Sequence, residues 1–129
     1  MSVHLRGIKP AVSPDAEALV KAPPVPAHLS TWAKAEWKRV MPQLIARRII
    51  TRADLAGVEN YCLAAGAVRQ IAEIMATMPV PDLKLGGLQI RYAQTARQLA
   101  AEYGLTPTSR ARIGTGTGDD DDGDDPLKV

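Results

Sequence analysis

The sequence predicts an all-α protein: one small helical domain of three main helices and a short C-terminal helix. Three observations carry this expectation. First, 46% of the 129 residues are apolar, yet there is no Phe, and Trp and Tyr number two and three. The core must therefore be built from Ala, Leu, Ile, Val and Met, side chains that suit closely packed helices. A β-sandwich of this length would need many more aromatic and β-branched residues. Second, apolar residues recur at spacings of three and four along three long stretches, which is the period of a helix face. Third, 129 residues allow one domain at most.

The N-terminal stretch reads as an arm. Over residues 1–29, Pro10, Pro14, Pro23, Pro24 and Pro26 interrupt any helix. Only Asp15 to Lys21 has room for a turn or two. The first helix begins near Ser30, with Ser30 or Thr31 as its cap and Leu29 just before. Ala33, Trp37, Val40, Met41 and Leu44 form its apolar face, and it is expected to kink at Pro42 and reach Arg47.

Thr51 and Asp54 have capping-box spacing and open the second helix. Its stripe runs through Leu55, Val58, Cys62, Ala65, Ile71, Met75 and Met78, widened by Tyr61, Val68 and Ile74. A helix from Arg52 to Met78 would be ~40 Å long, more apolar surface than the rest of the chain covers easily. Part of it, through Tyr61, Val68, Ile71 and Met75, is therefore expected to pack on another copy of the chain.

Pro79, Pro81, Gly86 and Gly87 are expected to bound a loop. The third helix then runs from Leu88 to Tyr103. Gly104 is placed to end it in a left-handed conformation, with Leu105 folding back. Thr106 caps a short fourth helix with Pro107 at its first position. The helical domain is thus expected to span residues 30–113. Residues 114–129, a Gly-Thr alternation followed by an Asp run, cannot build a core and are expected to be disordered.

The net charge of +2 hides a split. Residues 1–113 hold 15 Lys/Arg against 8 Asp/Glu, a net of +7, and residues 114–129 hold six Asp and one Lys, a net of −5. A basic body with an acidic tail is a pattern associated with polyanion binding. The basic groups fall in three places. Arg47, Arg48 and Arg52 flank the turn between the first two helices. Lys34, Lys38 and Arg39 lie along the first helix, and Arg110 and Arg112 on the last. Arg forks and helix N-terminal amides both match phosphate oxygens. The same residues would also serve as the solvated surface of a helix bundle. Two helices joined by a tight turn allow a helix-turn-helix, although residues 48–51 include no glycine.

Catalytic chemistry finds little support. The two histidines, His4 and His28, both lie in the arm, and Cys62 falls mid-helix in an apolar stripe, the setting of a buried structural thiol. One cysteine forms no internal disulfide, and no Cys/His cluster suggests zinc. The aspartates at 119–122, 124 and 125 miss the offsets of a calcium loop. No glycine-rich phosphate loop follows a strand. No metal, no cofactor and no enzymatic activity are expected. No stretch approaches the ~20 apolar residues of a membrane span, and Arg6, Lys9 and Pro10 precede no apolar run. The expectation is a soluble intracellular protein without a membrane partner.

Three stretches together resemble the small subunit of phage terminase, a family common among long-tailed double-stranded DNA phages. The first is Pro26 to Leu29 leading into Trp32, Lys34, Ala35, Glu36 and Trp37, then Pro42 and Leu44. The second is Ile50, Thr51, Asp54 and Leu55, followed by Tyr61 and Cys62. The third is Leu99, Ala100, Glu102, Tyr103, Gly104, Leu105, Thr106, Pro107, Ser109, Arg110 and Arg112. Within it, Gly104-Leu105-Thr106-Pro107-Thr108-Ser109-Arg110 is the most specific block. The resemblance covers about residues 24–113 and departs at the Pro-rich stretch 79–87. It implies a non-enzymatic, ring-forming α-helical subunit in the host cytoplasm. Such a subunit binds double-stranded viral DNA at the packaging start site and recruits the terminase large subunit, which holds the ATPase and nuclease. DNA contacts would then fall to Lys34, Lys38, Arg39, Arg47, Arg48, Arg52, Arg110 and Arg112. A dimeric helix-turn-helix transcription regulator and a protein adaptor that never touches DNA are the competing expectations.

Overall fold

A computed structural model describes residues 17–48 and 50–115, with side chains described as far as Arg112. Among them the elements are α1 (Thr31–Arg47), a 3-10 turn (Arg52–Asp54), α2 (Leu55–Met75), α3 (Leu83–Glu102) and α4 (Pro107–Thr115), with no strand. The all-α expectation is met.

α1 begins where Ser30 Oγ accepts from the Ala33 amide at 3.1 Å. It runs through Pro42 without interruption. Pro42 lies on the exposed side, as does Lys38 one turn earlier. The carbonyl that the proline leaves without a donor therefore sits on the side where water can serve it. Ala33, Trp37, Val40, Met41 and Leu44 are all buried, as the periodicity requires. The helix closes on Arg48, whose φ of 56° is left-handed and whose amide donates to the Ile45 carbonyl at 3.0 Å.

The Thr51/Asp54 capping box forms, with Asp54 Oδ2 accepting from the Thr51 amide at 2.8 Å. It winds the first turn as 3-10, so α2 proper is 21 residues rather than the expected 27. Thr77 ends it from the far side: its amide and its Oγ1 both donate to the Ile74 carbonyl, and Pro79 follows.

The expected loop through Gly86 and Gly87 is instead the first turn and a half of α3. Asp82 Oδ1 accepts from the Leu85 amide at 2.9 Å and sets the helix start at Leu83, five residues earlier than expected. Two glycines cost about 1 kcal/mol each in a helix interior. Burial along the remaining turns, and Gln89 Nε2 donating to the Val68 carbonyl at 3.1 Å, outweigh that. At the far end Gly104 is left-handed at φ 67°. The Leu105 amide donates to the Ala100 carbonyl at 2.8 Å and the Gly104 amide to Ala101 at 3.4 Å, the paired bonds of a Schellman motif. Thr106 then caps α4 as expected: its Oγ1 accepts from the Ser109 amide, and Ser109 Oγ accepts from the Thr106 amide, both at 3.1 Å. Ser109 is buried by this reciprocal pairing.

α2 is the central helix. α1 packs on one side of it and α3 on the other, and α1 and α3 do not pack on each other. Both pairs are antiparallel. Trp32 Nε1 donates to Glu73 Oε1 and Tyr61 Oη donates to Glu36, so α1 runs against α2 from its far end back toward the turn. Gly66 is the crossing point, where an added Cβ would stand 2.7 Å from the Ala33 amide nitrogen. Against α3, Gln89 meets Val68 while Tyr103 reaches Gly57.

The core joins Leu29, Ala33, Trp37, Val40, Met41, Leu44, Ile50, Val58, Tyr61, Cys62 and Ala100. Residues 17–29, expected as part of a detached arm, form a strap on this core. Ala18 and Leu29 are buried, Leu19 and Val25 pack against the cluster, and the Leu19 amide donates to the Ile50 carbonyl at 2.9 Å. The Asp15 to Lys21 piece shows only turns and bends over its described residues. The first part of the arm, 1–16, and residues 116–129 of the acidic tail lie outside the described residues. The tail begins later than expected, because α4 continues to Thr115.

Candidate nucleic-acid interface

The antiparallel arrangement sorts the basic residues by helix end. The C-terminus of α1, the start of α2, the Gly104 cap and the start of α4 all meet at one end of the bundle. Arg47 lies near Arg110 there, and Arg48 and Arg52 flank the α1–α2 turn. Arg47 Nη1 donates to the Gly104 carbonyl and Arg47 Nη2 to Gln43 Oε1 at 3.2 Å. Burial, and after it the nearby Arg110 guanidinium, lower the Arg47 pKa from its ordinary value. Arg47 is thus the strut that fastens α1 to the α3–α4 corner, with the like-charged Arg110 nearby.

Arg48, Arg52 and Arg110 are exposed and make no ion pair with a described residue. Arg112 is exposed two residues further along α4. Lys21 completes the group. The strap lays it beside Arg52, where Leu19, Lys21, Ala22, Pro23, Pro24, Arg52 and Leu55 line a depression of about 330 Å³. Sequence reasoning missed Lys21, because the link that positions it, Leu19 to Ile50, joins residues 31 apart and has no local signal.

The remaining sequence-derived candidates stand apart. Lys34 precedes Arg47 by 13 residues on α1, about 20 Å along the helix axis. It is half-buried, while Lys38 is exposed. Arg39 is committed elsewhere. Its Nη2 lies 2.5 Å from Glu36 Oε2, its Nε donates to Glu36 Oε1 at 3.0 Å, and it reaches Tyr61 Oη at 3.4 Å. Burial opposes the charged form of Glu36, but hydrogen bonds from Arg39 and Tyr61 outweigh it and leave the carboxyl below its usual range. The Glu36 partnership raises the Arg39 pKa further. Burial and the Glu36 contact raise that of Tyr61. This network pins α1 to α2 and is not a free phosphate ligand.

The residues expected at a subunit contact are largely inside the protomer. Tyr61 and Ile71 are each only 6% exposed, and Val68 and Met75 are half-buried. Tyr61 is bonded to Glu36 and Arg39 of α1, and Gln89 of α3 lies over Val68. The apolar surface left outside lies elsewhere on the α2–α3 hairpin. Val80 is 69% exposed, Leu83 90% and Ile90 59%, with Leu63, Ile74, Leu88 and Tyr92 also exposed.

Cys62 is buried, and desolvation pushes its thiol up to about 12. Among the described residues no group of three or more His, Cys, Asp or Glu could hold a metal ion. No described helix is long and apolar enough to cross a membrane.

Fold and site define a class: a small all-α bundle whose central helix is clasped by two others, with a cationic end and an apolar hairpin. Residues 33–82 match the family model described as phage terminase, small subunit. The matched segment runs from the first turn of α1 to the cap of α3, and over it the chain is similar to that family. No curated protein and no solved structure matches the chain.

Proposed function

We propose that this chain acts as the small subunit of a viral DNA-packaging terminase in the host cytoplasm. It binds double-stranded viral DNA through its cationic end and brings in the large ATPase/nuclease subunit, without a catalytic step or cofactor of its own. The observation that supports the DNA reading is that Arg48 and Arg52 flank the α1–α2 turn and Arg110 lies beside the Arg47 strut, with Lys21 next to Arg52. Arg112 continues the group along α4. Exposed guanidinium groups gathered on one end suit phosphate oxygens of a duplex backbone.

Lys34 and Lys38 form a secondary strip on α1, and Arg39 contributes mainly to holding that strip in place. A closed cyclic oligomer repeats a weak basic patch many times, so modest affinity per subunit accumulates. The exposed hairpin residues Leu83 and Ile90 are the centre of the subunit contact in this reading, with Val68 and Met75 at its margin.

The test is duplex affinity against salt for the native protein and a triple Arg48→Ala, Arg52→Ala, Arg110→Ala variant. Removing one phosphate-neutralising side chain lowers the salt slope by ~0.9. An unchanged slope would remove this end from the interface, and absent DNA binding by the native protein would leave the pure adaptor.

A further inference from the structure

α2 stands between α1 and α3, which do not pack on each other, and a furrow is left where the three helices share a face. Ala65 marks its middle. On one side Ala65 borders a depression of about 370 Å³ with Trp32, Ala35, Arg39 and Arg69. On the other it borders one of about 300 Å³ with Tyr61, Ala93, Ala96 and Arg97. The two adjoin at Ala65, and Tyr61, in the second, donates to Glu36 in the wall of the first. Each helix sets one exposed guanidinium on the furrow: Arg39 from α1, Arg69 from α2 and Arg97 from α3. Arg39 is committed to Glu36, and Glu73 accepts from Trp32 at 3.0 Å. Arg69 stands 3.9 Å from Glu73, a loose pair, and Arg97 makes no ion pair with a described residue. Arg69 and Arg97 therefore have donors to offer, beside a surface made mainly of alanine methyl groups and the Trp32 indole.

We infer that this furrow seats an amphipathic helix of a second protein, its apolar face over Ala65 and its carboxylates opposite Arg69 and Arg97. Packed helices stand ~8–10 Å apart, which sets the spacing of the two depressions. Positions i and i+7 of a docked helix are ~10.5 Å apart, so one apolar side chain enters each depression and those at i+3 and i+4 lie over Ala65. Charge complementarity selects the occupant, because carboxylates suit guanidinium forks. A second copy of the chain is a poor fit. α1, α3 and α4 each carry more Lys and Arg than acids, and α2 is packed on two sides. A duplex backbone is a poor fit as well, since phosphates gain nothing from the alanines and meet the Glu36 and Glu73 carboxylates. Assigning the helix to the large subunit rests on the function proposed above, whereas the furrow and its chemistry do not.

Three measurements on the full chain test this. The first uses a capped peptide of ~16 residues, Leu along one helical face and Glu on the flanks, long enough to cross both depressions. A benzophenone side chain replaces one central Leu, and mass spectrometry locates the photolabel. Labelling is expected within α1 near Ala35, α2 near Ala65 and α3 near Ala96. Labelling centred on Leu83 and Ile90 would show general apolar adhesion and overturn the site, as would no labelling. The second exchanges charge. The native protein should bind this peptide about tenfold more tightly than its Lys-flanked counterpart, and an Arg69→Glu, Arg97→Glu variant should reverse the preference. Both side chains are exposed, so circular dichroism should be unchanged. A variant that kept the native preference would overturn the pairing.

The third uses the purified large subunit. The same variant should bind it about tenfold more weakly than the native protein does, while keeping the native salt slope on a duplex. Unchanged large-subunit binding would overturn the assignment of the helix to that subunit. A lowered salt slope would put DNA in the furrow and overturn the inference. If the native protein bound no large subunit while the peptide labels remained, the proposed function would fall and the furrow would stand.

Discussion

Arg48 occupies the left-handed region at φ 56°, where an L-residue with a Cβ is strained by about 1–2 kcal/mol. Glycine is the usual occupant of such a helix end, so the arginine is retained against local preference. Arg48→Gly should raise stability by up to ~1 kcal/mol in urea denaturation while weakening duplex binding. A less stable variant would show that the side chain holds the corner instead. Its neighbour Arg47 plays the opposite part. Arg47→Ala removes a charge-assisted bond to the Gly104 carbonyl and should cost about 1–3 kcal/mol, with a smaller change in the DNA salt slope than the loss of Arg48, Arg52 or Arg110. Glu36 supplies a pH dependence. Its folded pKa lies below the unfolded value, so its contribution is present above pH ~4.5 and lost as pH falls through the folded pKa. Glu36→Gln should flatten that acid limb of a stability-against-pH curve. An unchanged limb would place the acid sensitivity in other carboxylates.

Among the elements, α3 is where local sequence and tertiary structure disagree. Gly86 and Gly87 weaken its first turns, and a Cβ at either meets nothing within 4 Å. Gly86→Ala and Gly87→Ala should each add ~0.5–1 kcal/mol of stability. Gly66 in α2 has the opposite sign. A Cβ there would press on the backbone of α1 at Ala33 and Trp32, so Gly66→Ala should separate the helices and lower the melting temperature. If both classes of substitution behaved alike in thermal denaturation, the packing of α1 on α2 described above would be wrong. Asp82 is legible as a residue type that starts helices, but the Gly-Gly pair four residues further on points to a loop. Burial against α2 decided the matter.

At the scale of the whole molecule, the exposed hairpin and the buried stripe give contrasting outcomes. Under the subunit contact proposed above, Leu83→Asp with Ile90→Asp should lower the oligomeric mass with helicity intact, because both side chains are exposed in the protomer. Ile71→Asp should instead unfold the protomer, since an unpaired charge would enter a buried site. Native mass spectrometry with circular dichroism on the two variants separates these effects. A full-size oligomer from the Leu83/Ile90 variant would move the subunit contact to another face.

The sequence by itself determined the helix faces and most of the caps. Ser30, Thr51 with Asp54, Gly104 and Thr106 with Pro107 act within four residues of where they sit, and local chemistry of that kind is written in order along the chain. It also determined the buried apolar positions of α1, because a 3.6-residue period needs no partner to be recognised. Only the tertiary structure decided which charges remain available. Arg39 and Arg47 read like their neighbours in sequence, but Glu36, itself bonded to Tyr61 across the α1–α2 contact, holds one, and Gly104, 57 residues away, holds the other. Lys21 joins the cationic end for the same reason, through a backbone bond between Leu19 and Ile50. Whether a guanidinium is a strut or a ligand depends on what stands opposite it, and that is fixed by how the helices pack.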